Sequence, residues 1–273
     1  MSNKLTGIPP IYYLNLDEED QRKSLMEFQF DKWEIGNFKR FSASNFDKRN
    51  FDEWKHLLFK PEVYKKSSYK KIAVNISTLE MVRYWLENTN EKYLILFEDD
   101  YDLNLIKYWH FDWEYLMNNI PYDWDCIQLG FESNHYISFF LHPKTTHSYY
   151  GPVLINRHFG EKLLNIHSVN GKYFFLRKYG KHPYSTEYRC LSIDNFFANV
   201  GKSYQIPLIT QNTSLDRNPK YHHIVCRDLY YWWWMTKSSE YSLEEFFTYG
   251  KSNDPEMTYR IPVKITHDIN KPL

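Results

Sequence analysis

The chain is poor in glycine and cysteine, carries no excess charge and contains no long apolar run. Nine glycines in 273 residues leave no GxGxxG or GxxxxGK(S/T) spacing, so the glycine-rich cradles of dinucleotides and P-loop phosphates are absent. There is no HExxH zinc site and no GxSxG nucleophile elbow. The three cysteines, Cys126, Cys190 and Cys226, stand apart with no CxxC pair. That speaks against a disulfide framework or a structural zinc site and for a reducing compartment. Lys and Arg number 34, as do Asp and Glu, which gives no electrostatic case for nucleic acid as a partner. No apolar stretch approaches the roughly 20 residues of a spanning helix. The opening Met1 to Pro10 also lacks the apolar region of a signal peptide. The expectation is a soluble, cytoplasmic protein with no transmembrane segment.

Aromatic side chains are abundant: 24 Tyr, 19 Phe and 9 Trp make up 19% of the chain. They suffice for a large core, and they could also offer flat platforms to sugar rings. The most informative stretch is Tyr93 to Asp102, where five apolar residues run into four carboxylates within five positions. The apolar run reads as a strand buried on both faces. Its acidic end would emerge at the carboxyl edge of a sheet, where ligands of open α/β sheets bind. Carboxylates so close repel one another unless a hard divalent cation compensates. Alternation along an extended strand would put Glu98, Asp100 and Asp102 on one face and turn Asp99 away. Asp100 belongs to both possible metal pairs; a solvated acidic turn is the alternative.

Strand patterns alternate with helical ones. Strands are expected at Ile11 to Leu16, Lys39 to Ser44, Tyr93 to Phe97, Trp124 to Gly130, Tyr136 to Leu141, Tyr149 to Ile155 and Tyr204 to Ile209. Helices are expected from a start within Asp17 to Asp20 to about Trp33, after Ser77, from Gly160 to Asn165 and near Asp194. Ser77 to Glu80 matches a capping box, with Leu79, Val82, Trp85 and Leu86 at helical spacing after it. Residues 45–71 read as a loop or small insertion. The implied architecture is α/β, a single Rossmann-like mixed sheet flanked by helices over residues 1–220. Residues 221–273 read as an aromatic-rich C-terminal extension packed on the same domain. Its run Tyr230 to Met235 reads best as a buried terminal helix, with sugar stacking or a membrane interface as the functional options.

The acidic motif in its context resembles glycosyltransferase family 25, which includes lipooligosaccharide and collagen galactosyltransferases. Tyr12 to Asp17 with Arg22 downstream resembles the family's opening xINLxxxxxR segment. Arg40 to Ala43 is similar to its RFxA segment, and Ser77 to the Ser of its SH pair, although Thr78 replaces the His. Glu98, Asp99 and Asp100 match its EDD signature. Trp124 and Asp125 through Leu129 and Gly130 resemble WDxxxLG. Gly151 and Asp194 fit later landmarks, though Pro152 is atypical. The ordered set spans residues 11 to 216.

The resemblance implies a GT-A fold and a metal-dependent, inverting transferase. Such an enzyme moves a hexose, galactose or glucose, from a UDP-sugar to a hydroxyl of a glycan or protein acceptor. It implies Mn²⁺ or Mg²⁺ held by Asp100 and Asp102 (a DxD motif), with His222 and His223 as candidates for a further ligand. Asn15, Leu16, Asp17, Arg22, Ala43, Ser44, Ser77, Glu98, Asp99 and Gly151 are the candidate donor-binding residues. Asp194 is the candidate base that takes the acceptor proton. A metal-dependent hydrolase of sugar phosphates or glycosides, and a non-catalytic sugar- or nucleotide-binding protein, are the competing readings.

Overall fold

The computed structural model describes residues 4–45, 50–64, 67–133, 136–144, 148–149, 151–175, 193, 197, 200–215, 221–247 and 258–260. Its centre is a seven-stranded mixed sheet. In spatial order the strands are Phe38–Ser42, Ile11–Asn15, Tyr93–Glu98, Val153–Asn156, Cys126–Gln128, Ser203–Gln205 and His142–Pro143. The first three run parallel. Val153–Asn156 is antiparallel to both neighbours, Ser203–Gln205 runs parallel to Cys126–Gln128, and His142–Pro143 closes the far edge antiparallel.

Every residue of Ile11–Asn15 is buried, as a continuous apolar strand in a sheet covered on both faces should be. Alternation then sorts its side chains. Ile11 and Tyr13, with Ile95 and Phe97, meet Met26 and Phe30 of the Asp20–Lys32 helix on one face. Tyr12 and Leu14, with Leu94 and Leu96, meet Ile72, Ile76, Leu79 and Val82 of the Tyr69–Asn88 helix on the other. The Arg157–His167 helix joins that second layer. A Cβ added to Gly160 would lie 2.9 Å from Trp85 and 3.3 Å from Val82, so the glycine permits the close approach of these two helices. The chain is thus a mixed α/β structure with helices on both faces of its sheet.

Two local expectations are corrected. Ser77 does not begin a helix: it lies in the middle of one spanning Tyr69–Asn88. Ile76, Ala73 and Ile72 continue the apolar stripe of Leu79 over the two turns upstream, and burying that stripe outweighs the capping signal. Residues 45–71 are not irregular throughout; they hold a short helix at Phe51–Trp54, two 3₁₀ turns at Lys55–Leu57 and Pro61–Tyr64, and the start of the long helix.

The aromatic run forms most of a helix, Tyr221–Thr236. Tyr230, Trp233 and Trp234 are buried in the core cluster that holds Ile11 and Phe97, while Trp232 remains 42% exposed. Trp233 stacks on Phe139 with ring centroids 4.4 Å apart, and Trp234 Nε1 donates to the Pro207 carbonyl at 2.7 Å. Core burial accounts for these rings, as a helix permits for only part of a contiguous run. Cys126 and Cys226 are buried free thiols. No helix among the described residues is long and apolar enough to cross a membrane.

Candidate functional site

Because Ile11–Asn15, Phe38–Ser42 and Tyr93–Glu98 run parallel, their carboxyl ends share one edge. The first strand lies between the other two, and the helices that follow it and precede the third cover opposite faces. This is the switch-point geometry that opens a crevice at a sheet edge. Two clefts occupy it, separated by Glu98, which lines both.

The first cleft, about 320 Å³, is lined by the expected residues Asn15, Leu16, Arg22, Ala43, Ser44, Glu98 and Asp99, and also by Leu14, Glu19, Asn45, Lys70, Ala73 and Val74, which were not expected there. A chain of polar contacts crosses the three strand ends. Arg22 Nη1 donates to Asp99 Oδ1 at 3.1 Å, and Asn15 Nδ2 donates to Asp99 Oδ2 at 2.7 Å. Arg40 Nε donates to Asn15 Oδ1 at 2.7 Å, and its guanidinium also pairs with Asp17. Ser42 Oγ donates to Asp17 Oδ2 at 2.7 Å. The Ser42 and Arg40 hydrogen bonds hold the Asp17 carboxyl below its ordinary range. Asp17 itself is largely exposed and lies outside the cleft lining. Ser77 lies behind the wall, where its Oγ accepts from the Ser44 backbone N–H at 3.0 Å and fixes that loop. Arg40, read from sequence only as part of a motif, is therefore a member of the site framework.

The second cleft, about 210 Å³, is lined by Glu98, Asp100, Gly130, Glu132, Gly151, Ile193 and Gln211, among others. Asp100 Oδ2 accepts from Gln211 Nε2 at 2.6 Å and lies 3.9 Å from Arg22 Nη1. Gly151 is not required by a left-handed backbone, since among the described residues the positive-φ glycines are Gly7 and Gly171. It is required by contact: a Cβ there would run into the Gly130 carbonyl, and one at Gly130 into the Ile209 carbonyl. Three backbone segments thus press together to form the cleft wall.

The shared face expected for Glu98, Asp100 and Asp102 does not survive folding. The strand ends at Glu98, Asp99 and Asp100 form a turn, and Tyr101–Asp102 starts a new strand paired antiparallel with Thr210–Gln211. A turn breaks the two-residue alternation, so Asp100 faces the second cleft while Asp102 lines neither. Asp102 Oδ1 accepts from the backbone N–H and Nδ2 of Asn104 at 2.9 and 2.7 Å, and Oδ2 accepts from the Tyr231 hydroxyl. Burial, followed by that hydrogen bond to Asp102, raises the Tyr231 hydroxyl above its usual pKa. Asp102 ties the C-terminal helix to the acidic strand end.

His222 and His223 lie beside Glu132, which the sequence reading missed. Their Nε2 atoms are 3.5 and 3.1 Å from Glu132 Oε2, and ligand atoms of all three residues lie within 4.8 Å of one another. No local signal singles out Glu132, which stands 90 positions before His222. Asp194 lies outside the described residues; its neighbour Ile193 lines the second cleft.

No family model and no curated protein matches the chain. Among solved structures the chain is similar to one titled "Crystal Structure of A197 from STIV", with 13% identity, a TM-score of 0.38, and coverage of 79% of this chain and 100% of that one.

Proposed function

We propose that the protein is a nucleotide-sugar-dependent hexosyltransferase of the GT-A type, akin to glycosyltransferase family 25. In this reading it transfers galactose or glucose from a UDP-sugar to a hydroxyl of a glycan or protein. The observation that carries the reading is the pair of clefts meeting at Glu98 over the carboxyl ends of three parallel strands. One is lined by amide, hydroxyl and guanidinium groups suited to a nucleoside; the other is acidic, with Glu98, Asp100 and Glu132. Carboxylates gathered in one cleft suit a hard cation such as Mn²⁺ or Mg²⁺, with Glu98 and Asp100 as its protein ligands. Bound there, the ion would supply Lewis-acid stabilisation to a departing diphosphate.

The chain's own residues have distinct tasks. Asn15, Leu16, Ala43 and Ser44 form the nucleoside side of the first cleft. Arg22, next to Asp99 and within 3.9 Å of Asp100, is placed to donate to a phosphate oxygen. The close-packed Gly130 and Gly151 backbone forms the wall of the second cleft, against which the donor sugar would lie. Asp194, next to the cleft-lining Ile193, is the base for the acceptor hydroxyl, and a single displacement with one base inverts the anomeric carbon. Calorimetric titration of UDP with and without Mn²⁺, on wild type and Asp100→Ala, tests the reading. Binding that requires metal and is lost in the variant supports it. Tight binding indifferent to both defeats it. Release of UDP that depends on an acceptor hydroxyl separates transfer from hydrolysis.

A further inference from the structure

We propose that Glu132, His222 and His223 form a binding site for one first-row divalent transition-metal ion, of the class Zn²⁺, Mn²⁺, Fe²⁺ or Co²⁺. Its ligands are other than Glu98 and Asp100, although Glu132 lines the same cleft, and it does not depend on the transferase reading. Two imidazoles and one carboxylate make a borderline donor set, which favours these ions over Mg²⁺ and Ca²⁺. Metal–ligand bonds of about 2.0–2.2 Å place neighbouring ligand atoms around one ion roughly 3.0–3.5 Å apart. Glu132 Oε2 is 3.1 Å from His223 Nε2 and 3.5 Å from His222 Nε2, both within that interval. The two imidazole rings stand nearly perpendicular, 77° between planes with centroids 4.3 Å apart, and converge on the same carboxylate oxygen.

The arrangement is held by contacts that do not involve the three ligands. The Tyr221–Thr236 helix is fastened to the Phe131–Ser133 segment at successive turns. Tyr230 Oη donates to the Phe131 carbonyl at 2.6 Å and accepts from the Phe131 N–H at 3.2 Å. Cys226 Sγ lies 3.5 Å from the Ser133 carbonyl. Residues 222, 226 and 230 are four apart, so one helix face carries the fastening and the histidine together. Ligands on elements locked in this way are preorganised. Three protein ligands leave coordination positions open, as in catalytic rather than structural metal sites. Glu132 also lines the cleft that holds Asp100, so those positions lie next to the acidic edge.

The test is calorimetric titration of metal-free full-length protein with ZnCl₂, MnCl₂ and MgCl₂ in the absence of nucleotide. Wild type, Glu132→Gln, His222→Ala, His223→Ala and Asp100→Ala are compared, with folding of each checked by its thermal transition. The expected result is one equivalent of Zn²⁺ bound more tightly than Mg²⁺, with Mn²⁺ at this site told from Mn²⁺ at the acidic edge by its loss in the histidine variants. Loss of a direct ligand should weaken binding by at least about 100-fold, beyond the 10–100-fold typical of outer-shell changes. Asp100→Ala should leave this event in place. If Glu132→Gln fails to fold, His222→Ala, at the more exposed imidazole, decides. Absence of transition-metal binding in wild type, or binding that survives both histidine variants and is lost in Asp100→Ala, would overturn the proposal. Nucleotide-dependent metal binding at Asp100 is a separate readout, so the two readings can fail independently.

Discussion

Asp99 and Asp100 are adjacent carboxylates with different surroundings, and substituting each by asparagine separates them. Asp99 is nearly buried, at 9% exposure, and accepts from Asn15 Nδ2 and Arg22 Nη1. Neither donor can be reassigned at no cost, because Arg has no acceptor and Asn15 Oδ1 is already engaged by Arg40. Asparagine at 99 offers one carbonyl oxygen to two donors and aims an NH₂ at the other. A hydrogen bond to a charged group contributes about 1.5–3 kcal/mol, and a buried donor left unmet costs about 1–3 kcal/mol. Both groups retain some solvent access, so the lower part of the combined range applies, about 2–4 kcal/mol of lost stability. Asp100 accepts from Gln211, whose amide can rotate to present its oxygen to an asparagine NH₂. Asp100→Asn should therefore cost less than about 1 kcal/mol while removing a carboxylate from the acidic cleft. Urea unfolding at constant m-value measures the first effect, and UDP titration in Mn²⁺ the second. The reasoning fails if Asp99→Asn costs under about 1 kcal/mol, or if Asp100→Asn is the more destabilising of the two.

Two further outcomes are expected. Gly151→Ala forces a Cβ into the Gly130 backbone and should destabilise by about 1–3 kcal/mol or more; a denaturation midpoint equal to wild type would contradict the close approach. His142 and His167 are buried, and loss of water pushes each imidazole down from 6.5 to about 4. Their folded pKa values lie below the unfolded one, so the unfolded chain takes up more protons between pH 6.5 and about 4. Stability present above that window is lost as pH falls through it, by up to about 3 kcal/mol per histidine at 1.36 kcal/mol per unit. Thermal unfolding at pH 7 and 4.5 checks this, and an unchanged midpoint refutes it.

Much of the first cleft was legible because its residues sit at strand ends, and strand ends are marked locally. Asn15 closes an all-buried strand, Ser44 lies two residues past a half-buried edge strand, and Glu98 ends a buried apolar run. Once the strands are parallel, their polar ends must gather at one edge. Arg22 was legible as a position but not as a contact. It lies on a helix beside acids of its own first turn, yet its partner is Asp99, 77 positions away.

What the sequence by itself determined is the layering: apolar strands buried on both sides, helices with one apolar stripe, and an acidic strand end bound to emerge at the sheet edge. These follow from periodicity, which is a local property of side-chain order. What only the tertiary structure decided is which carboxylates face the same space. The turn at Asp99 and Asp100 parts Asp100 from Asp102, giving one to a cleft and the other to Tyr231 on the C-terminal helix. Packing of that helix brings His222 and His223 to Glu132. Turns reset alternation, and helix docking joins residues far apart in sequence. Both depend on how large buried surfaces fit together rather than on the order of residues within any one element.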